Sequence, residues 1–131
     1  MKFLFLLILL ISCSTISVAE TIVFSAYPIK KTEIFNFTSS DIKLKDQEYL
    51  DYQCIIVKKN DKYYWKSREY KELLKVESGS FHIFIAKNGA GYIKIKKEQI
   101  IGLDYLYMEH IHLGLDSITY FGHLGSYKAE D

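Results

Sequence analysis

Apolar and polar residues alternate with a period of two over most of this chain, and that period predicts half-buried strands rather than helices. Ile22 to Tyr27 is a compact β-prone run that Pro28 ends, and Ile34 to Thr38 follows with Phe35 and Phe37 on one face. Ser39 to Gln47 is polar and loop-like, although Ile42 and Leu44 alternate enough for a short edge strand. Tyr52 to Lys58 and Lys62 to Lys66 flank Lys59-Asn60-Asp61, which reads as a hairpin because Asn and Asp tolerate positive φ. A strand over Leu73 to Glu77 turns at Ser78-Gly79. Phe81 to Ala86 then pairs with Gly91 to Lys96 across Asn88-Gly89, the dipeptide that favours a type I′ turn. Phe81, Ile83 and Ile85 share one face of the first of these strands, and Ile93 and Ile95 one face of the second.

The period changes after Lys97. From about Gln99 to Leu113 the residues Leu103, Leu106, Tyr107 and His110 recur at helical spacing, with Gly114 placed as a C-cap. The spacing predicts one helix there, followed by a closing strand over Leu115 to Phe121. The expected fold is α+β: a mainly antiparallel sheet of six to eight strands, a meander or partly open barrel, with one C-terminal helix.

The amino terminus carries a different signal. Lys2 precedes an unbroken apolar run from Phe3 to Ile11, and small residues follow, the arrangement of a secretion signal. The run is too short to span a bilayer, which takes about 20 residues. Ser17-Val18-Ala19 offers a signal-peptidase site, giving a signal over 1–19 and a single β-rich domain over 20–131. Leu10-Ile11-Ser12-Cys13 is instead a lipobox pattern, which would make Cys13 a lipidated N-terminus and the protein a membrane-anchored lipoprotein. Either route places it outside the cytoplasm, in the periplasm or secreted.

Composition narrows the function. Cys54 is the one cysteine beyond the signal, so no internal disulfide framework exists, which favours a bacterial envelope protein over a eukaryotic secreted mini-domain. Loss of Lys2 with the signal leaves 16 basic residues against 16 acidic ones. Nucleic-acid binders carry a basic excess, so that role is not expected. The lysines at Lys58, Lys59, Lys62 and Lys66, and at Lys94, Lys96 and Lys97, read as solubilising residues at sheet edges.

The segments Tyr64-Trp65-Lys66-Ser67-Arg68-Glu69, Glu77-Ser78-Gly79-Ser80-Phe81, Asn88-Gly89-Ala90-Gly91-Tyr92-Ile93, Met108-Glu109-His110 and Ser117-Ile118-Thr119-Tyr120-Phe121-Gly122 together resemble short exported bacterial proteins of uncharacterised function. The resemblance covers the second half of the chain. It implies a bacterial source and export, and it brings no activity, ligand or catalytic residue.

Glu109-His110-Ile111-His112 is the one cluster with chemical potential. On a strand, His110 and His112 would face one side and could share a metal ion; on the predicted helix they lie about 200° apart and cannot. HExxH is absent, so the helical reading makes His110 a sheet-packing residue and leaves no metal and no cofactor. Cys54 alternates with Tyr52 and Ile56 and reads as a small buried hydrophobe. Ser78-Gly79-Ser80 lacks the flanking glycines of a nucleophile elbow, and Asn88-Gly89-Ala90-Gly91 lacks the Lys-Ser/Thr of a phosphate loop; both read as turns. The tyrosine load, with Tyr64, Trp65 and Tyr70 as the candidate contact residues, suits an interface or a sugar-stacking cleft. The expected role is therefore a non-catalytic binding or inhibitory module for a protein, peptide or glycan of the envelope. The alternative is a small exported hydrolase using Glu109 with a histidine such as His110, and Arg68 as charge stabiliser.

Overall fold

Most of the short apolar runs pair with the next across a turn, and among the described residues the result is one continuous sheet. The structure, a computed structural model, describes residues 19–45, 47–99 and 105–127. Eleven antiparallel strands follow in chain order: β1 (Thr21–Tyr27), β2 (Lys30–Phe35), β3 (Thr38–Lys43), β4 (Cys54–Lys59), β5 (Lys62–Trp65), β6 (Lys71–Ser78), β7 (Phe81–Ala86), β8 (Gly91–Lys96), β9 (Tyr107–Leu113), β10 (Asp116–Gly122) and β11 (Leu124–Tyr127). Helical structure among the described residues is confined to 3-10 turns at Glu48–Tyr52 and Lys66–Arg68.

From β4 to β10 the strands pair in sequence order as a meander, with β1 and β11 continuing one side and β2 and β3 the other. The sheet curls until those two sides meet at Pro28. Tyr27 of β1 faces Leu124 of β11, and Lys30 of β2 faces Phe121 of β10, so the register runs on without slipping through the Pro28-Ile29 corner. The Ile29 amide donates to the Phe121 carbonyl at 2.8 Å and carries the ladder through that corner. Proline suits this position because it has no amide hydrogen to leave unpaired where the strand changes neighbours. Gly122 allows the approach: a Cβ there would lie 2.5 Å from the Tyr27 carbonyl oxygen.

The concave side holds the core, with Phe24, Ile56, Trp65, Phe84, Ile93 and Ile95 all buried. Rings meet edge to face, Phe24 on Tyr107 at 5.3 Å and Tyr63 on Phe84 at 5.3 Å, as aromatic quadrupoles prefer.

Two expectations are corrected. No C-terminal helix forms over the described part of its predicted span: residues 107–113 are β9, paired to β8 on one side and β10 on the other, and residues 100–104 lie outside the described residues. Gly114 is a hairpin-turn residue at φ 70° rather than a helix cap. Pairing on both sides satisfies the backbone groups of the segment, and its Tyr, Ile and His residues fit a pleated surface, so tertiary context overrides the local spacing. The sheet also has eleven strands rather than six to eight, because residues 107–113 add β9, Thr38–Lys43 forms the edge strand that the alternation around Ile42 allowed, and the tail after Gly122 supplies β11. The fold is nearly all β, not α+β.

The turns follow residue chemistry with two changes, one of them a hairpin turn at Asn36-Phe37, φ 50° and 63°, that breaks the strand expected over Ile34 to Thr38. Asn60 and Asp61 both take positive φ, 52° and 61°, as their hairpin requires. At the β7–β8 turn only Gly89 of the Asn88-Gly89 pair does, at 78°, so this is not a type I′ turn. Its amide donates to the Ala86 carbonyl at 3.0 Å, and the Ala90 amide donates to Asn88 Oδ1 at 3.0 Å, closing a wider loop. Gly89→Val is expected to cost about 1–3 kcal/mol because a β-branched residue is strained at that φ. Thermal melting checks it, and an unchanged Tm would show that the loop relaxes freely.

Candidate functional site

Strand β9 alternates its side chains, which sends Tyr107, Glu109 and Ile111 inward and Met108, His110 and His112 outward. Glu109 is thereby fully buried between Ile93 of β8 and Tyr120 of β10. Isolated, a buried carboxylate would be prohibitively costly. It is not isolated. Trp65, at the end of β5, donates its indole N–H to Glu109 Oε2 at 3.2 Å, and Arg68, in the 3-10 turn that follows, donates from Nη2 to Oε1 at 2.7 Å. Arg68 also lies over the Tyr120 ring at 5.4 Å, a cation–π contact on its other side.

The local backbone brings Arg68 there. Residues Glu69 and Tyr70 both take left-handed conformations, φ 56° and 53°, and reverse the chain between the 3-10 turn and β6. Neither is glycine, so the connection is held in a sparsely populated conformation by what surrounds it. An open depression of about 290 Å³ adjoins this end of the roll, lined by Trp65, Arg68, Lys71 and His112 among others.

The chemistry of this cluster is that of a brace. Both Glu109 oxygens already accept hydrogen bonds, and the residue has no solvent exposure. Cys54, on the neighbouring stretch of β4, is fully buried, and burial followed by the Glu109 charge pushes its thiol well up, so it stays protonated and weakly nucleophilic. Burial likewise pushes the Tyr107 phenol far up, and its hydroxyl has no hydrogen-bond partner among the described residues.

The sequence-predicted residues divide accordingly. Glu109 and Arg68 come together, whereas His110 belongs to the opposite face of β9, so the carboxylate–histidine–arginine trio does not assemble. The expectation that His110 packs inward in phase with Tyr107 is likewise corrected, because the strand period puts adjacent odd and even residues on opposite faces. Trp65 is 1% exposed and is no surface contact. Tyr64 and Tyr70 do share a shallow surface depression with Lys59 and Asn60. Cys13 lies outside the described residues. Glu20, directly before β1, pairs with Lys66 and accepts from the Tyr70 hydroxyl at 3.5 Å.

His110 and His112 stand together on the convex side, their ring centres 4.6 Å apart, with Tyr92 stacked on His110 at 5.1 Å. No group of three or more His, Cys, Asp or Glu among the described residues is disposed to hold a metal ion. The Trp65–Glu109–Arg68 unit is not visible in the local period of the sequence. Its signal was Glu109 between Tyr107 and Ile111, legible once the segment is a strand.

The convex side also carries an apolar strip. Register places Leu74 of β6 opposite Ile85 of β7, and Ile85 opposite Tyr92 of β8. Leu74 is 54% and Ile85 42% exposed, with Val76 and Phe81 beside them also exposed. Comparisons with protein-family models, with curated proteins and with solved structures return no match for this chain.

Proposed function

We propose that this protein is an exported bacterial envelope module that binds a protein, peptide or glycan partner and performs no catalysis of its own. The observation that supports this reading most is the strip of Leu74, Val76, Phe81 and Ile85 on the convex side of β6 and β7, large apolar side chains left in solvent while the concave side holds a complete core. Contiguous exposed apolar surface of that kind marks interaction sites. Tyr92 and Tyr64 border it with rigid, amphipathic area that loses little entropy on contact. Arg68 with Glu109 is the sole support for the hydrolase alternative, and a carboxylate with both oxygens engaged and no exposure is poorly suited to general base work.

Export rests on the apolar run Phe3 to Ile11, and tethering on the lipobox ending at Cys13. The described fold starts at β1, directly after Ala19-Glu20, so residues 14–19 would serve as a short spacer between a lipid on Cys13 and the sheet. Among the described residues no helix is long and apolar enough to cross a membrane.

The test is Leu74→Lys combined with Ile85→Lys. Both sites are exposed, so the double variant is expected to melt within a few degrees of wild type while losing capture of its partner from envelope extract. Retained capture would overturn the binding face. Mass spectrometry of the mature N-terminus checks the address: a lipid-modified Cys13 is expected, and an unmodified Glu20 terminus would leave export without the lipid.

A further inference from the structure

We propose that His110 and His112 form a surface binding site for one divalent late transition-metal ion, taking Cu²⁺ in preference to Ni²⁺ or Zn²⁺, with solvent completing the coordination. The proposal stands on β9 being a strand. Residues two apart on a strand project to the same face, so both imidazoles rise from the convex surface side by side. Their ring centres are 4.6 Å apart. Two imidazoles sharing an ion at about 2.0–2.1 Å per nitrogen, at a ligand angle of roughly 90–110°, have centres about 4.5–5.5 Å apart. The observed spacing is thus that of cis ligands before the ion arrives.

The surroundings orient the pair. His110 Nδ1 lies 2.7 Å from Thr119 Oγ1 on the neighbouring strand. When Nδ1–H donates to that hydroxyl, Nε2 keeps its lone pair for a metal, the second-partner arrangement that fixes the tautomer of ligating histidines. Tyr92 stacks on His110 with its ring inclined 24°, which restrains the imidazole further. Two nitrogens with exchangeable water suit Cu²⁺ first, by both ligand type and the ordering of first-row affinities. His82 offers no comparable pair: it stacks on Tyr127 at 4.5 Å and its Nδ1 meets Glu77 Oε1 at 2.7 Å.

Calorimetric titration of the purified protein with CuCl₂, NiCl₂ and ZnCl₂, with electron paramagnetic resonance of the copper form, tests this. One Cu²⁺ per chain with nitrogen hyperfine structure is expected, bound more tightly than Ni²⁺ or Zn²⁺. His110→Ala and His112→Ala should each weaken it at least tenfold, Thr119→Val by about tenfold through loss of the orienting hydrogen bond, and His82→Ala not at all. Circular dichroism melting of each variant separates loss of the site from loss of the fold. Absence of binding to wild type, or Cu²⁺ affinity within tenfold of wild type in either well-folded β9 histidine variant, overturns the site.

Discussion

Arg68→Ala is expected to destabilise the protein by about 3–5 kcal/mol, the cost of leaving a buried carboxylate without its countercharge. Glu109 has no exposure through which water could replace the guanidinium, and Trp65 satisfies only one of its oxygens. For a domain of this size the loss corresponds to a fall in Tm of roughly 10–25 °C. Glu109→Gln should cost less, because an amide oxygen can still accept from Arg68 or Trp65 at nearly the same shape. Replacing both partners by apolar residues, Arg68→Met with Glu109→Leu, should recover much of the loss, since a well-packed apolar pair can match a buried ion pair. Thermal melting together with chemical denaturation of the three variants checks the pattern. A Tm unchanged in Arg68→Ala, with loss of some enzymatic turnover instead, would move the pair from brace to catalytic machinery and revive the hydrolase reading.

Gly91→Ala is expected to prevent folding or to cost more than about 4 kcal/mol. Gly91 opens β8 at φ 153°, a conformation that side-chain-bearing residues rarely adopt, and it pairs with Ile111 of β9. A Cβ at this position would collide with the His110 carbonyl oxygen and lie 3.0 Å from its carbonyl carbon. Those are backbone atoms of a central strand paired on both sides, so neither can swing away as a flexible side-chain end would. Gly79 is the control: it takes φ 57° in a turn where a Cβ would meet no atom within 4 Å, and Gly79→Asn should be nearly neutral because asparagine tolerates that conformation. Expression and thermal melting of the two variants side by side measure the difference. Equal stability would mean that β8 and β9 do not approach each other as closely as the Gly91 contact requires.

Much of the fold was legible in the sequence because strand periodicity and turn chemistry are local. The hairpin at Asn60-Asp61 and the β7–β8 pairing follow from alternating apolar residues on either side of residues that accept positive φ. The end of β1 at Pro28 follows from the missing amide hydrogen. Segment 107–113 was not legible in the same way, because Leu106, Tyr107 and His110 satisfy a helical spacing while Tyr107, Glu109 and Ile111 satisfy an extended one. Intrinsic preference decides little between them, and the open edges of β8 and β10 decide in favour of the strand.

The site depended on that decision. By itself the sequence determined that Glu109, Arg68, His110 and His112 are present and which turns bracket them; as a helix, 107–113 would have separated the two histidines and packed His110 inward. As a strand it sends Glu109 into the core to meet Trp65 and Arg68, which are 44 and 41 residues away, and lifts both histidines onto the convex surface. Long-range pairing of that kind is invisible to local periodicity, because it is fixed only when the whole curled sheet closes and every buried polar group must find a partner within reach.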